Sequence, residues 1–175
     1  MGIEEHERLK PEKVSFGVVV VSDKVYKGER EDVSGRVAEK LITEAGHEVR
    51  ALKIIPNSEE VILATLDELL DIVDVIVFIG GTGVGPNDIT VDVVSKVSNK
   101  YVPGFGELFR FETYRKHGPF AILSRAGMWI YKKVVVVVTP GSPDAVETAL
   151  KLILPVAPHL VMEAKGLRHG VRKGV

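Results

Sequence analysis

Valine-rich runs that alternate with helical patterns restrict this chain to an α/β fold. Val14–Val21 is a β-branched run that ends at the polar pair Ser22-Asp23. Behind it Val33, Val37, Ala38, Leu41, Ile42 and Ala45 recur at the spacing of one helical face, and Gly46 stands where such a helix stops. Val49–Ile55 reads as a second strand. Asn57 and Glu60 hold the spacing of a capping box ahead of a helix with the face Ile62, Leu66, Leu69, Leu70 and Val73. Val75–Ile79 is a third strand and runs straight into Gly80-Gly81-Thr82-Gly83-Val84-Gly85. Strands this continuously apolar are buried on both faces, which implies a mostly parallel sheet covered by helices on either side.

The remaining chain fits the same plan. A short helix is expected over Thr90–Val97, then a break at Pro103-Gly104, and a helix through Phe105, Leu108 and Phe109 that ends at Gly118-Pro119. Phe120–Leu123 reads as an edge strand. Val134–Val138 reads as a central strand, followed by Thr139-Pro140-Gly141-Ser142-Pro143, where Ser142 as N-cap and Pro143 at the first helical position open a last helix.

With 175 residues the chain fits one domain, given about 100–200 residues per domain. The expected division is an N-terminal arm over 1–13, an α/β domain over 14–163 and a basic C-terminal tail over 164–175. A net charge of −1 gives no surplus of cations for a nucleic-acid backbone. The absence of cysteine excludes disulfides, thiolate metal sites and cysteine nucleophiles, and it suits a reducing cytoplasm. The charged N-terminus has no signal-peptide core, and no apolar run approaches the roughly 20 residues a membrane helix needs. The histidines His6, His47, His117, His159 and His169 show no metal-binding spacing and read as surface or structural residues.

In an open α/β sheet, ligands bind beyond the carboxyl ends of the strands. Ser22-Asp23, Gly80–Asp88 and Thr139–Pro143 all fall at such ends. Gly80–Gly85 can bring bare backbone N–H groups close to an anion, and the helix behind it adds partial positive charge. No Lys follows the turn, so it is not a Walker loop, and Pro86 stands where a dinucleotide fingerprint needs its third glycine. Asp88 can share a Mg²⁺ ion with phosphate oxygens or favour a helix dipole. Asp23 and Asp32 divide between facing the cleft and capping the helix near Val33. Arg125 offers a guanidinium shaped for phosphate, while Trp129 and Tyr131 either stack on a heterocycle or pack.

Taken in order, Ser22-Asp23 with Asp32-x-Ser34-Gly35, Gly80-Gly81-Thr82-Gly83 with Asp88-Ile89-Thr90, Pro103-Gly104-Phe105-Gly106-Glu107-Leu108, Leu123-Ser124-Arg125-Ala126 and Pro140-Gly141-Ser142-Pro143 form a specific set. The chain resembles the MoaB/MogA family of molybdenum-cofactor biosynthesis, the molybdopterin adenylyltransferases, over residues 14–160. The resemblance implies a three-layer αβα sandwich of the molybdopterin-binding-domain type, assembled as a trimer or hexamer. It implies Mg²⁺-dependent transfer of AMP from ATP to the terminal phosphate of molybdopterin, with release of pyrophosphate. It assigns Asp88 to Mg²⁺ and, with Arg125, to catalysis. Ser22, Asp23, Gly80, Gly81, Thr82, Gly83, Glu107, Ser124, Pro140, Gly141 and Ser142 are assigned to substrate. One departure stands out: Asn57 occupies a turn where family members often carry Asp. That substitution keeps open the alternative of a non-catalytic molybdopterin-binding or carrier protein.

Overall fold

In a computed structural model that describes residues 12–167, the apolar runs become strands of one sheet. The strands are β1 (Ser15–Val21), β2 (Glu48–Ile55), β3 (Val75–Ile79), β4 (Lys100–Tyr101), β5 (Gly127–Tyr131) and β6 (Val134–Thr139), in the spatial order β2-β1-β3-β6-β5-β4. β1, β2, β3 and β6 run parallel, and β5 is antiparallel to both β6 and β4. The helices are α1 (Asp23–Tyr26), α2 (Ser34–Glu44), α3 (Glu59–Leu69), α4 (Thr90–Val97), α5 (Pro103–His117), α6 (Pro143–Ile153) and α7 (Ala157–Ala164).

Alternate residues of each strand feed two cores. Val18, Val20, Val75, Val77, Val135 and Val137 pack with Ala38 of α2, Phe105 and Phe109 of α5, Val146 of α6 and Val161 of α7. Val19, Ile76, Phe78, Val136 and Val138 face the other way, onto Ile62 and Leu66 of α3 and Val94 of α4. These strand residues are almost wholly buried, and each such side chain stabilises the fold by roughly 1.5–3 kcal/mol relative to exposure. The result is the expected three-layer αβα sandwich. Among the described residues no single helix is long and apolar enough to cross a membrane.

The structure departs from expectation at several points. Phe120–Leu123 is not an edge strand but part of a 3-10 helix, Gly118–Leu123, with Phe120 and Ile122 pointing to solvent. The edge is supplied instead by β5 and β4. β5, the hairpin partner of β6, was hidden because Lys132 and Lys133, at φ 45° and 71°, form the turn between them in place of the usual Asn or Gly. The N-cap of α3 is Ser58 rather than Asn57: Ser58 Oγ accepts the Val61 N–H at 3.4 Å. Trp129 packs against Tyr101, ring centroids 5.4 Å apart, and the Tyr131 hydroxyl donates to Asp67 at 2.8 Å, so both aromatics serve the sheet edge. Of the basic tail, Arg168, His169, Arg172 and Lys173 lie outside the described residues, as does most of the N-terminal arm.

Candidate active site

The chain passes from β2 on one side of β1 to β3 on the other, so the carboxyl ends of β1 and β3 form a topological switch point. The loops at that end are knitted together. Gly80 N–H donates to the Thr139 carbonyl at 2.8 Å, and Ser22 N–H to the Ile55 carbonyl at 3.1 Å. Ser34 Oγ, at the start of α2, donates to the Gly141 carbonyl at 2.6 Å. Asp32 Oδ1 caps α2 by accepting the Gly35 N–H at 2.8 Å. Asp32 thus caps α2 and also lines the larger cleft over the β1 end.

The glycine turn is shaped by close approach. Gly80 and Gly81 sit at φ 115° and 74°, and a Cβ on Gly80 would overlap the Val21 carbonyl oxygen. A Cβ on Gly81 would overlap Oγ1 of Thr90, a fully buried hydroxyl that has no hydrogen-bond partner among the described residues. Glycine is thus required at both positions.

Two clefts flank this turn. The smaller, of about 370 Å³, is lined by Gly81-Thr82-Gly83, Asp88, Ser124, Pro140-Gly141-Ser142 and Asp144, with a wall from Phe109, Thr113, His117, Phe120 and Leu123. The larger, of about 660 Å³, lies over the β1 end, between Ser22, Arg30–Ser34, Gly80-Gly81 and Gly141–Pro143. Gly81, Gly141 and Ser142 line both, so two ligands seated in them would meet across a strip of nearly bare backbone. Ser142 also caps α6, accepting the Ala145 N–H at 3.2 Å, which places a helix N-terminus on that strip.

Residues 17–159 match the family described as "Probable molybdopterin binding domain". The chain belongs to this family. It is 38% identical over 170 residues to a molybdopterin adenylyltransferase of Pyrococcus furiosus, covering 94% of this chain and 99% of the relative. It is 34% identical over 172 residues to molybdenum cofactor biosynthesis protein B of Bacillus subtilis, covering 94% and 98%. A crystal structure described as tungsten cofactor synthesizing protein MoaB, from Pyrococcus furiosus, superposes with a TM-score of 0.81 at 36% identity, covering 89% of this chain and 99% of that one.

Within this molybdopterin-binding domain, most residues assigned from sequence converge. Gly81, Thr82, Gly83, Asp88, Ser124, Pro140, Gly141 and Ser142 share the smaller cleft, and Ser22 and Gly80 line the larger. Asp23 is directed elsewhere: its Oδ1 accepts the Asn57 N–H at 2.9 Å. Asn57 continues the tie, donating from Nδ2 to the Asn87 carbonyl beside Asp88, while its own Oδ1 is buried without a partner. Asp88 Oδ2 accepts the Gly85 N–H at 3.1 Å.

Two of the assigned residues lie outside both clefts. Glu107 is exposed on α5, on the opposite side from the buried Phe105 and Phe109, and lines neither cleft. Arg125 lines neither cleft, because its guanidinium is consumed by the protein. Nε donates to the Gly83 carbonyl at 2.8 Å, one terminal nitrogen to Asp92 at 2.7 Å, and the other to the Asp88 carbonyl at 2.6 Å and Asp92 at 3.0 Å. Hydrogen bonding to Asp92 raises the Arg125 pKa, and Arg125 in turn holds the Asp92 carboxyl below its usual range. Arg125 thereby clasps the turn carrying Asp88.

His117 and Asp144 are the site residues that sequence reasoning passed over. His117 ends α5 and Asp144 lies in the first turn of α6, and the imidazole Nε2 lies 2.9 Å from Asp144 Oδ2. The only available signal was the position of Asp144, just past the Gly141-Ser142-Pro143 turn.

Proposed function

We propose that this chain transfers AMP from ATP to the terminal phosphate of molybdopterin and releases pyrophosphate. The observation that carries this reading is the pair of clefts meeting at Gly81, Gly141 and Ser142, which is what a transfer between two anionic substrates requires. One cleft takes the nucleotide and the other the pterin. A terminal phosphate oxygen of the pterin attacks the α-phosphorus of ATP, a new P–O–P link forms, and the bond to pyrophosphate breaks. The chain's contribution is positioning and charge stabilisation, with backbone N–H groups of the glycine turn and the α6 N-terminus facing the phosphates.

The donor set suits a shared Mg²⁺ rather than a protein-enclosed one. Among the described residues no group of three or more His, Cys, Asp or Glu side chains is arranged to hold a metal. Magnesium bound through one or two carboxylates and substrate phosphates needs no such cage. Asp88 fits that part, since one of its oxygens takes a backbone N–H and the other makes no hydrogen bond among the described residues. When bound there, Mg²⁺ would neutralise phosphate charge beside the turn.

The same reading makes the protein a homo-oligomer, trimeric or hexameric, working in the cytoplasm. The exposed Leu108, Phe111, Tyr114, Phe120 and Ile122 of α5 and the 3-10 helix support an apolar contact between copies. Light scattering on the purified chain gives its mass.

Pyrophosphate release from ATP and Mg²⁺, measured with and without molybdopterin, tests the activity. Pterin-dependent release, lowered at least about 100-fold in Asp88→Asn, is the expected result. Tight pterin binding without ATP turnover would instead establish the carrier alternative, which Asn57 favours by removing a carboxylate from the loop after β2.

A further inference from the structure

On the proposed reaction the smaller cleft accommodates phosphate charge, yet among the described residues its lining holds a single side chain able to become cationic. That side chain is His117. Arg125, the nearest guanidinium, is saturated by Gly83, Asp88 and Asp92. Lys116 is tied to Asp144 and Thr148, each at 2.9 Å. Asp144 therefore accepts from both Lys116 and His117, and the two hydrogen bonds pull its carboxyl below the usual range.

The geometry also fixes which imidazole nitrogen responds to a ligand. A carboxylate can only accept, so His117 Nε2 carries the hydrogen that faces Asp144. Nδ1 is left without a partner among the described residues, on a residue that lines the cleft. When Nδ1 is unprotonated it repels an anion, and when protonated it donates to one.

We infer that His117, oriented by Asp144, is a phosphate-binding residue of the smaller cleft that contacts bound substrate through protonated Nδ1. The inference rests on the proposed reaction for the identity of the substrate, but not for the anion contact itself. The charged groups around it are Lys116 on its own helix, Asp144 on α6, and Asp88 across the cleft. Glu147 and Lys151 of α6 pair with each other at 2.7 Å and leave the local balance to Asp144 and Lys116.

The direct test is an NMR titration of the His117 ring in the whole protein with sulfate, whose charge is constant between about pH 5 and 8, the range over which imidazole loses its proton. Sulfate should shift the His117 ring resonances, move its titration to higher pH, and bind more weakly as pH rises. An unchanged His117 titration at saturating sulfate overturns the inference, whatever the enzyme does. Kinetics supply the second arm. His117→Gln should raise KM about tenfold, as loss of one charge-assisted hydrogen bond does, with kcat little changed. A rise confined to ATP identifies a nucleotide phosphate, and one confined to molybdopterin identifies the pterin phosphate. A variant equally stable and unchanged in both KM values refutes the contact. If sulfate acts on His117 while no pyrophosphate is released, the proposed reaction fails and the anion site stands.

Discussion

Arg125 and Asp92 meet at 2.7 Å across 33 residues of sequence, and that pairing turns a phosphate-shaped guanidinium into a strut for the glycine turn. The ion pair itself is a minor contribution, since the Asp92 side chain is 60% exposed and solvent screens it. The carbonyls of Gly83 and Asp88, which the same guanidinium satisfies, matter more. Arg125→Ala is expected to cost about 1–3 kcal/mol in urea unfolding, the range for orphaned polar groups. Asp92→Asn should cost no more than about 1 kcal/mol. In steady-state assays Arg125→Ala should lower turnover, because Asp88 loses its support.

Gly81→Ala tests whether the turn is built by close approach. With φ at 74° and Thr90 Oγ1 in the place of a Cβ, the substitution should destabilise by about 1–3 kcal/mol and abolish substrate binding. Gly104→Ala is the control: nothing lies within 4 Å of its Cβ, and it sits inside α5. There a gain of up to about 1 kcal/mol is expected from helix propensity. Thermal unfolding of the two variants side by side reads the difference.

Asn57 donates to the Asn87 carbonyl, which a carboxylate cannot do. Asn57→Asp should therefore lose about 1–2 kcal/mol at pH 7 in the absence of metal. Protonation would restore a donor, so the gap from the parent should narrow as pH falls through about 4. Urea midpoints at the two pH values give the comparison.

His47 is buried beside Phe16, and its Nδ1 accepts the Val14 N–H at 3.3 Å. Burial lowers its pKa below 6.5, against an opposing hydrogen bond to the Leu154 backbone. Between that lowered value and the ordinary one near 6.5, the unfolded chain binds more protons, so stability rises with pH. Acidification below about pH 6.5 should weaken the fold, and His47→Gln should flatten that limb of the urea-midpoint profile.

What the sequence determined by itself is what local rules reach. Valine runs specify buried strands, and the helix faces follow from spacings of three and four residues. Ser142-Pro143 announces a helix start, and Gly80–Gly85 announces a turn of close backbone approach. These features depend on atoms a few positions apart, so they survive any arrangement of the rest. β5 was not legible because the turn that joins it to β6 is Lys132-Lys133, whose positive φ values are imposed by strand pairing rather than by residue preference. Glu107 belonged to a recognisable motif, yet which face of α5 is buried was decided by the packing of Phe105 and Phe109 on the sheet. From sequence Arg125 reads as directed to phosphate and His117 as a surface or structural residue. Partners 27 to 42 residues away gave the arginine to the loop and brought the histidine to the cleft. Hydrogen bonds of that span exist only after β3 and β6 lie side by side, so only the tertiary structure could decide which charged side chains are tied to the loops and which line a cleft.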